Sequence, residues 1–245
     1  MDSTILITGA SSDIGVTLIR RLMAQSAPPA VLAHSFRGGT RLQELQVEFG
    51  ERVQLVQADF SDTESVVAMA EQIVTQFGVP TQFVHLPALR PSPERFSKFR
   101  LDRFAEDMSV QVESAIILLK RFLPQMAKQP DARIVFMLSS YTHGMPPKFT
   151  SMYTVVKYAQ LGLMRSLAAE YAGTELRVNA VSPSMIETQF LQDMAPLAVE
   201  MSAASNPLGR NATPADVVGA IEFLLSPDSN YMTGIDIPIT AGSHC

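Results

Sequence analysis

Cysteine is nearly missing from this chain: one residue in 245, Cys245. No disulfide is expected among these residues, and a cysteine-rich metal site is excluded. Charge is scarce as well, with 18% charged against 47% apolar residues and a net charge of −5. A disordered chain needs the opposite balance, so disorder is excluded and there is ample apolar material for a core. A weakly acidic protein gains nothing from phosphate attraction, which sets general nucleic-acid binding aside. Long apolar runs are absent too, and none approaches a membrane span. The opening Met1-Asp2-Ser3-Thr4-Ile5-Leu6-Ile7 lacks a basic stretch followed by a long apolar run. No signal peptide is expected, and the expected location is cytoplasmic.

What is present is a regular alternation. Ile5-Leu6-Ile7 is a short apolar run ending at Thr8-Gly9, suited to a strand buried on both faces. Ile14, Leu18, Ile19 and Leu22 then line one face of a helix that ends at Pro28-Pro29. Ala30–Ala33, Val53–Val56, Phe83–Leu86, Ile134–Leu138, Arg177–Val181 and Ile235–Ile239 read as six further strands. Helices are expected over Leu42–Phe49, Val66–Phe77, residues 103–126, Met152–Ala172 and Pro214–Leu225. Across the long 103–126 helix, Phe104, Met108, Val112, Ile116 and Leu119 form one apolar stripe. This βαβ order predicts an α/β fold: a Rossmann-like, doubly wound parallel sheet with helices on both faces, in a single domain.

Three signals carry chemistry. The first is Thr8-Gly9-Ala10-Ser11-Ser12-Asp13-Ile14-Gly15, a turn between the first strand and its helix. Glycines there let the backbone approach a pyrophosphate, and the helix N-terminus favours an anion; an ordinary capped turn is the alternative. The second is His34-Ser35-Phe36-Arg37-Gly38-Gly39 after the second strand. No carboxylate is present to take a ribose hydroxyl pair, and Arg37 suits the extra 2′-phosphate, which favours NADP over NAD. Asp59 either accepts from the adenine amino group or only caps a turn. The third is Ser140, Tyr153 and Lys157. Tyr153 and Lys157 are four apart and share a helix face. An ammonium beside a phenol lowers the phenol pKa and suits it to protonating an alkoxide as hydride reaches a carbonyl carbon.

On these residues the chain resembles a short-chain dehydrogenase/reductase over essentially its whole length, and within that family the β-ketoacyl-carrier-protein reductases. Thr8, Gly9 and Gly15 match the phosphate turn, and Ser140, Tyr153 and Lys157 match the Ser…Tyr-x-x-x-Lys element. Val178–Pro183, Pro207–Arg210 and Met232–Gly234 match the later pattern. The resemblance implies a nicotinamide-dependent oxidoreductase with Ser140, Tyr153, Lys157 and Gln111 as catalytic residues. It implies NADP(H) contacts from Gly9, Ser11, Ser12, Asp13 and Ile14, then from Ser35, Phe36, Arg37, Asp59 and Phe60. Pro87, Ala88, Tyr153, Lys157, Pro183, Ser184, Ile186 and Thr188 complete that set. The chain departs from the pattern in five places. Asp13 replaces the middle glycine, and its charge repels a pyrophosphate unless it faces away. His85-Leu86-Pro87-Ala88 replaces a sheet-bracing Asn-Asn-Ala-Gly. Gln111 stands for an asparagine that brackets a water relaying protons to the lysine. Pro183-Ser184 replaces Pro-Gly, and Ala241-Gly242 a Gly-Gly.

The resemblance also implies a substrate lid over about 185–210, rich in Met and other apolar residues. Ser140, Met145, Tyr153, Phe190 and Met194 are the expected substrate contacts, and adaptable Met side chains suit an acyl chain. A β-ketoacyl thioester on an acidic carrier protein is the leading substrate. Arg90, Arg95, Lys98, Arg100 and Arg103 form a basic run that either steers such a partner or is merely solvated. A different carbonyl or pterin substrate is the second reading, and a catalytically weak assembly subunit the third. By resemblance the chain forms a homotetramer or homodimer, with no metal, nucleic acid or membrane partner.

Overall fold

Parallel strands covered on both faces need near-continuous apolar runs, and the runs read from the sequence form them. The computed structural model describes residues 3–90, 93–192 and 194–243; Cys245 lies outside the described residues. Seven strands run parallel: β1 (Thr4–Thr8), β2 (Ala30–Ser35), β3 (Val53–Gln57), β4 (Gln82–His85), β5 (Arg133–Met137), β6 (Arg177–Pro183) and β7 (Asp236–Ile239). Their order is β3-β2-β1-β4-β5-β6-β7. The five inner strands are buried almost throughout, whereas the edges β3 and β7 are not.

The order reverses between β1 and β4, where Thr8 pairs with His85. Crossovers leave in opposite directions at such a point and open a crevice at the strands' carboxyl ends. The helices that flank it are α1 (Asp13–Met23), α2 (Thr40–Phe49), α3 (Thr63–Phe77), α4 (Leu101–Met108), α5 (Ser114–Met126), α6 (Ser151–Glu170), α7 (Pro196–Ser205) and α8 (Pro214–Leu225). One core layer joins α3, α5 and α6 to the sheet through Met69, Phe122 and Met164; the other joins α1, α2 and α8 through Leu18, Leu45 and Ile221. Each fully buried side chain of this size contributes about 1.5–3 kcal/mol.

The long helix expected at 103–126 is not continuous. A π-helical turn at Ser109–Glu113 separates α4 from α5, with Ser114 N–H donating to the Ser109 carbonyl. A π turn inserts an extra residue and rotates the helix beyond it. The single apolar stripe therefore breaks: Val112 and Leu119 are buried, but Ile116 is 44% exposed. Polar Asp107, Gln111 and Ser114 take inward positions instead.

Candidate active site

The phosphate turn is anchored from β2. His34 holds both ends of its start: Gly9 N–H donates to His34 Nδ1 at 3.2 Å, and Ala10 N–H to the His34 carbonyl at 2.8 Å. His34 Nε2 then donates to the Ala58 carbonyl at 3.1 Å, and the ring stacks on Phe60 at 4.0 Å. Burial holds this imidazole neutral, with its pKa lowered to about 4. Gly9 has φ +68°, and a Cβ there meets the Pro87 nitrogen at 3.1 Å; one on Gly15 lies 2.4 Å from the Ala10 carbonyl oxygen. Only glycine fits either place.

Ser12, not Asp13, caps α1, accepting from Gly15 N–H at 3.1 Å. The turn is therefore capped, with Ser12 as its cap. The Asp13 carboxylate pairs with Arg41 at 3.0 Å and accepts from Gln189 N–H at 2.8 Å. The turn after β1 is thereby tied to the segment at Gln189, and the charge at Asp13 is offset by Arg41, a cation the sequence reading missed. Ser11 and Ile14 are partly buried beside it.

At the end of β2, Ser35 is buried while Phe36 and Arg37 are exposed. The Arg37 guanidinium lies 4.6 Å from the Phe36 ring centroid. Asp59 Oδ1 accepts from both the N–H and the hydroxyl of Ser61, at 2.9 and 2.6 Å, so one of its oxygens does cap a turn.

Tyr153, Lys157 and Gln160 recur along one face of α6. Tyr153 is partly exposed, yet its surroundings desolvate the hydroxyl and push its pKa well above the ordinary range. Its hydroxyl meets Ser139, which acts the other way but more weakly. Ser140, the serine expected from spacing, is buried and begins the short turn Ser140–Thr142; Ser139 caps that turn through Tyr141 N–H. Both serines sit where β5 ends. The sequence shows the pair, but spacing alone does not say which hydroxyl faces the phenol.

Lys157 lies buried one helical turn from Tyr153. Its Nζ donates to the Met137 carbonyl and to Gln160 Oε1, both at 2.9 Å, and lies 5.6 Å from the Tyr153 ring centroid. Burial lowers its pKa to about 7, with Asp107 opposing. At the phenol, burial outweighs the opposing hydrogen bond from Ser139 and raises the pKa.

His85 supplies the bracing that the missing amides left open. It is completely buried; Nε2 donates to the Gln111 carbonyl and Nδ1 accepts from the Thr8 hydroxyl, both at 2.9 Å. Desolvation lowers its pKa to about 3, so it stays a neutral ring. The Gln111 side chain points elsewhere: Nε2 donates to Asp107, and Oε1 is buried with no partner among the described atoms. Burial raises the Asp107 pKa.

A small cavity beside Tyr153 is lined by Arg90, Pro93, Arg103, Asp107, Thr150 and Met152. Met152 lines it; Met145 stands 89% exposed outside. Pro183 ends β6 buried, and Ser184 N–H donates to the Ile239 carbonyl at 3.0 Å. In the segment after β6, Ile186 bridges to Ala212, and Thr188 precedes the turn Gln189–Leu191. Phe190 and Met194 are partly buried, while α7 has no buried residue.

A family profile described as Enoyl-(Acyl carrier protein) reductase matches residues 9–244. The oxidoreductase UcpA of Salmonella typhimurium is 33% identical over 258 aligned positions, which cover 98% of this chain and 94% of that one. The chain belongs to the short-chain dehydrogenase/reductase family. The 3-oxoacyl-[acyl-carrier-protein] reductase FabG of Staphylococcus aureus is 25% identical, covering 100% of this chain and 99% of FabG. Among solved structures, ElxO with NADP bound has a TM-score of 0.85 at 25% identity, covering 99% of each chain.

Short-chain dehydrogenase/reductases are oxidoreductases that work with NAD(P)(H). The residues here fit such a dinucleotide. Gly9 and Gly15 pack where a side chain collides, and the first N–H groups of α1 lack intrahelical acceptors. Arg41 offsets the one carboxylate at the turn. Gln111 Oε1 is a buried acceptor in want of a donor, a condition that costs about 1–3 kcal/mol unless something supplies one.

Proposed function

We propose that this chain is an NADPH-dependent ketoreductase that reduces a β-ketoacyl thioester, carried on an acidic carrier protein, to the β-hydroxyacyl form. The observation that carries the reading is the Tyr153 phenol, held protonated and facing a serine hydroxyl at the end of β5, one helical turn from a buried ammonium. A reduced nicotinamide, when bound, supplies the hydride to the carbonyl carbon. Tyr153 gives its proton to the carbonyl oxygen, and Ser139 or Ser140 donates a hydrogen bond to the same oxygen. Lys157, at about 7, supplies positive charge beside the phenol as it becomes phenolate. Gly9, Ser12 and Ile14 hold the pyrophosphate, with Arg37 on the 2′-phosphate; Pro183, Ser184, Ile186 and Thr188 border the nicotinamide.

The likeness to FabG and the apolar lid support an acyl thioester. Of the basic run, Arg100 pairs with Asp102 at 2.6 Å, and Arg103 reaches the Arg90 carbonyl at 3.1 Å. Arg95 and Lys98 are the cations this reading assigns to carrier docking. A largely apolar groove of Ile116, Leu119 and Leu123 on α5, Leu163 on α6 and Tyr171 just beyond it supports self-association, as a homotetramer or homodimer.

One observation favours a second reading. Asp107, Arg90 and Arg103 line the cavity at Tyr153, which suits a small polar carbonyl or a pterin better than an alkyl chain. NADPH consumption across acyl thioesters of graded length, small diketones and a dihydropterin separates the two. Rates that rise with acyl length support the first; turnover of the polar carbonyls alone overturns it.

A further inference from the structure

A glutamine on the inward face of a helix packed against a sheet is unexpected, because burying an amide is costly unless both ends are bonded. Gln160 is completely buried, and both ends are bonded. Its Oε1 accepts from Lys157 Nζ, and its Nε2 donates to the Gln111 carbonyl, each at 2.9 Å. The Gln111 carbonyl also accepts from His85 Nε2 at 2.9 Å, so two side-chain donors meet its two lone pairs. The chain of contacts runs Thr8, His85, Gln111, Gln160, Lys157, Met137, from the base of the phosphate turn to the end of β5.

We propose that Gln160 is a positioning residue for the reaction, clamping Lys157 through its side-chain amide and locking the ammonium to the π turn and to His85. The catalytic meaning of this clamp rests on the reductase reading; the clamp itself does not. Two of the three Nζ hydrogens are fixed by Met137 and Gln160, which leaves one to act. A fixed amide dipole favours the charged form against the desolvation that opposes it. The other ionisable groups facing Lys157 are Asp107 from α4, His85 from β4 and Tyr153 on α6. Because an amide neither gains nor loses a proton near neutral pH, Gln160 orients the ammonium without draining it.

The test uses the full chain labelled at lysine Cε, with the Lys157 resonance assigned by Lys157→Arg. In Gln160→Met, nearly isosteric but apolar, the Lys157 titration midpoint is expected to fall by about one pH unit, the size of one lost charge-assisted hydrogen bond. In Gln160→Glu, a carboxylate beside the ammonium is expected to raise it. Catalytically, Gln160→Met is expected to lower kcat about tenfold with NADPH affinity held within about twofold, as for one positioning contact. A variant that melts earlier while the Lys157 midpoint stays at the wild-type value overturns the clamp, since that is the behaviour of a merely structural amide. Should Gln160→Met not fold, an unmoved midpoint in Gln160→Glu overturns it equally. A wild-type chain that never oxidises NADPH defeats the reductase reading while the midpoints still decide the clamp.

Discussion

Around the phosphate turn, the departures from the family pattern lie near water; around Lys157, they lie where no water reaches. Asp13 stands in the glycine's place, and its charge meets Arg41 and the Gln189 amide at a partly exposed position. Such a surface pair contributes about 0–1 kcal/mol, so the exchange is nearly neutral for the fold. In the buried half, His85, Gln111 and Gln160 are all inaccessible, and a polar group stranded there costs far more. His85 and Gln160 both donate to the Gln111 carbonyl, so these buried groups share hydrogen bonds with one another. At the surface one ion pair and one backbone bond absorb the departure; in the buried half His85 and Gln111 are bonded into one network.

That contrast orders the expected effects. His85→Ala removes a fully buried ring, its bond to Thr8 and its bond to Gln111, and is expected to lower stability by about 2–4 kcal/mol in urea unfolding. A loss below about 1 kcal/mol would erase the distinction between the halves. Acid acts on the same groups. His34 and His85 titrate near 4 and near 3 when folded but near 6.5 when unfolded. Between those values the unfolded chain binds more protons, so stability falls as pH drops from about 6.5 towards 4. A melting temperature flat over that range contradicts neutral burial.

At the surface the effects are smaller and fall on the cofactor. Arg37→Ala is expected to reduce the preference for NADPH over NADH about tenfold by calorimetry. An unchanged ratio moves the 2′-phosphate role to Arg41. Asp13→Gly removes a like charge from the turn and is expected to tighten NADPH binding by about threefold to tenfold, with little change in melting temperature. Weaker binding shows instead that the Asp13 bond to the Gln189 amide matters more than its charge.

Much of the molecule is legible in its sequence, for physical reasons. Strands such as Ile134–Leu138 announce themselves as unbroken apolar runs, and Tyr153 with Lys157 by helical spacing. The π turn is not legible: Phe104, Met108, Val112 and Ile116 keep a smooth helical period across it, and the one local departure is that polar Asp107 and Gln111 are buried beside it. His85 reads as a lost brace because its replacement bonds run to Thr8 and to a backbone carbonyl, which no local pattern displays. Gln160 does leave a signal, a polar residue three positions after Lys157 on the inward face. Ser139 and Ser140 are adjacent, and the choice between them depends on how the short turn after β5 folds.

The most direct test of the reductase chemistry is Tyr153→Phe, assayed by NADPH consumption with a β-ketoacyl thioester beside calorimetry of NADPH binding. The predicted result is a fall in kcat of about a thousandfold with NADPH affinity nearly unchanged. An unchanged rate, with NADPH still bound, would mean that some other group protonates the substrate and that the site is misassigned.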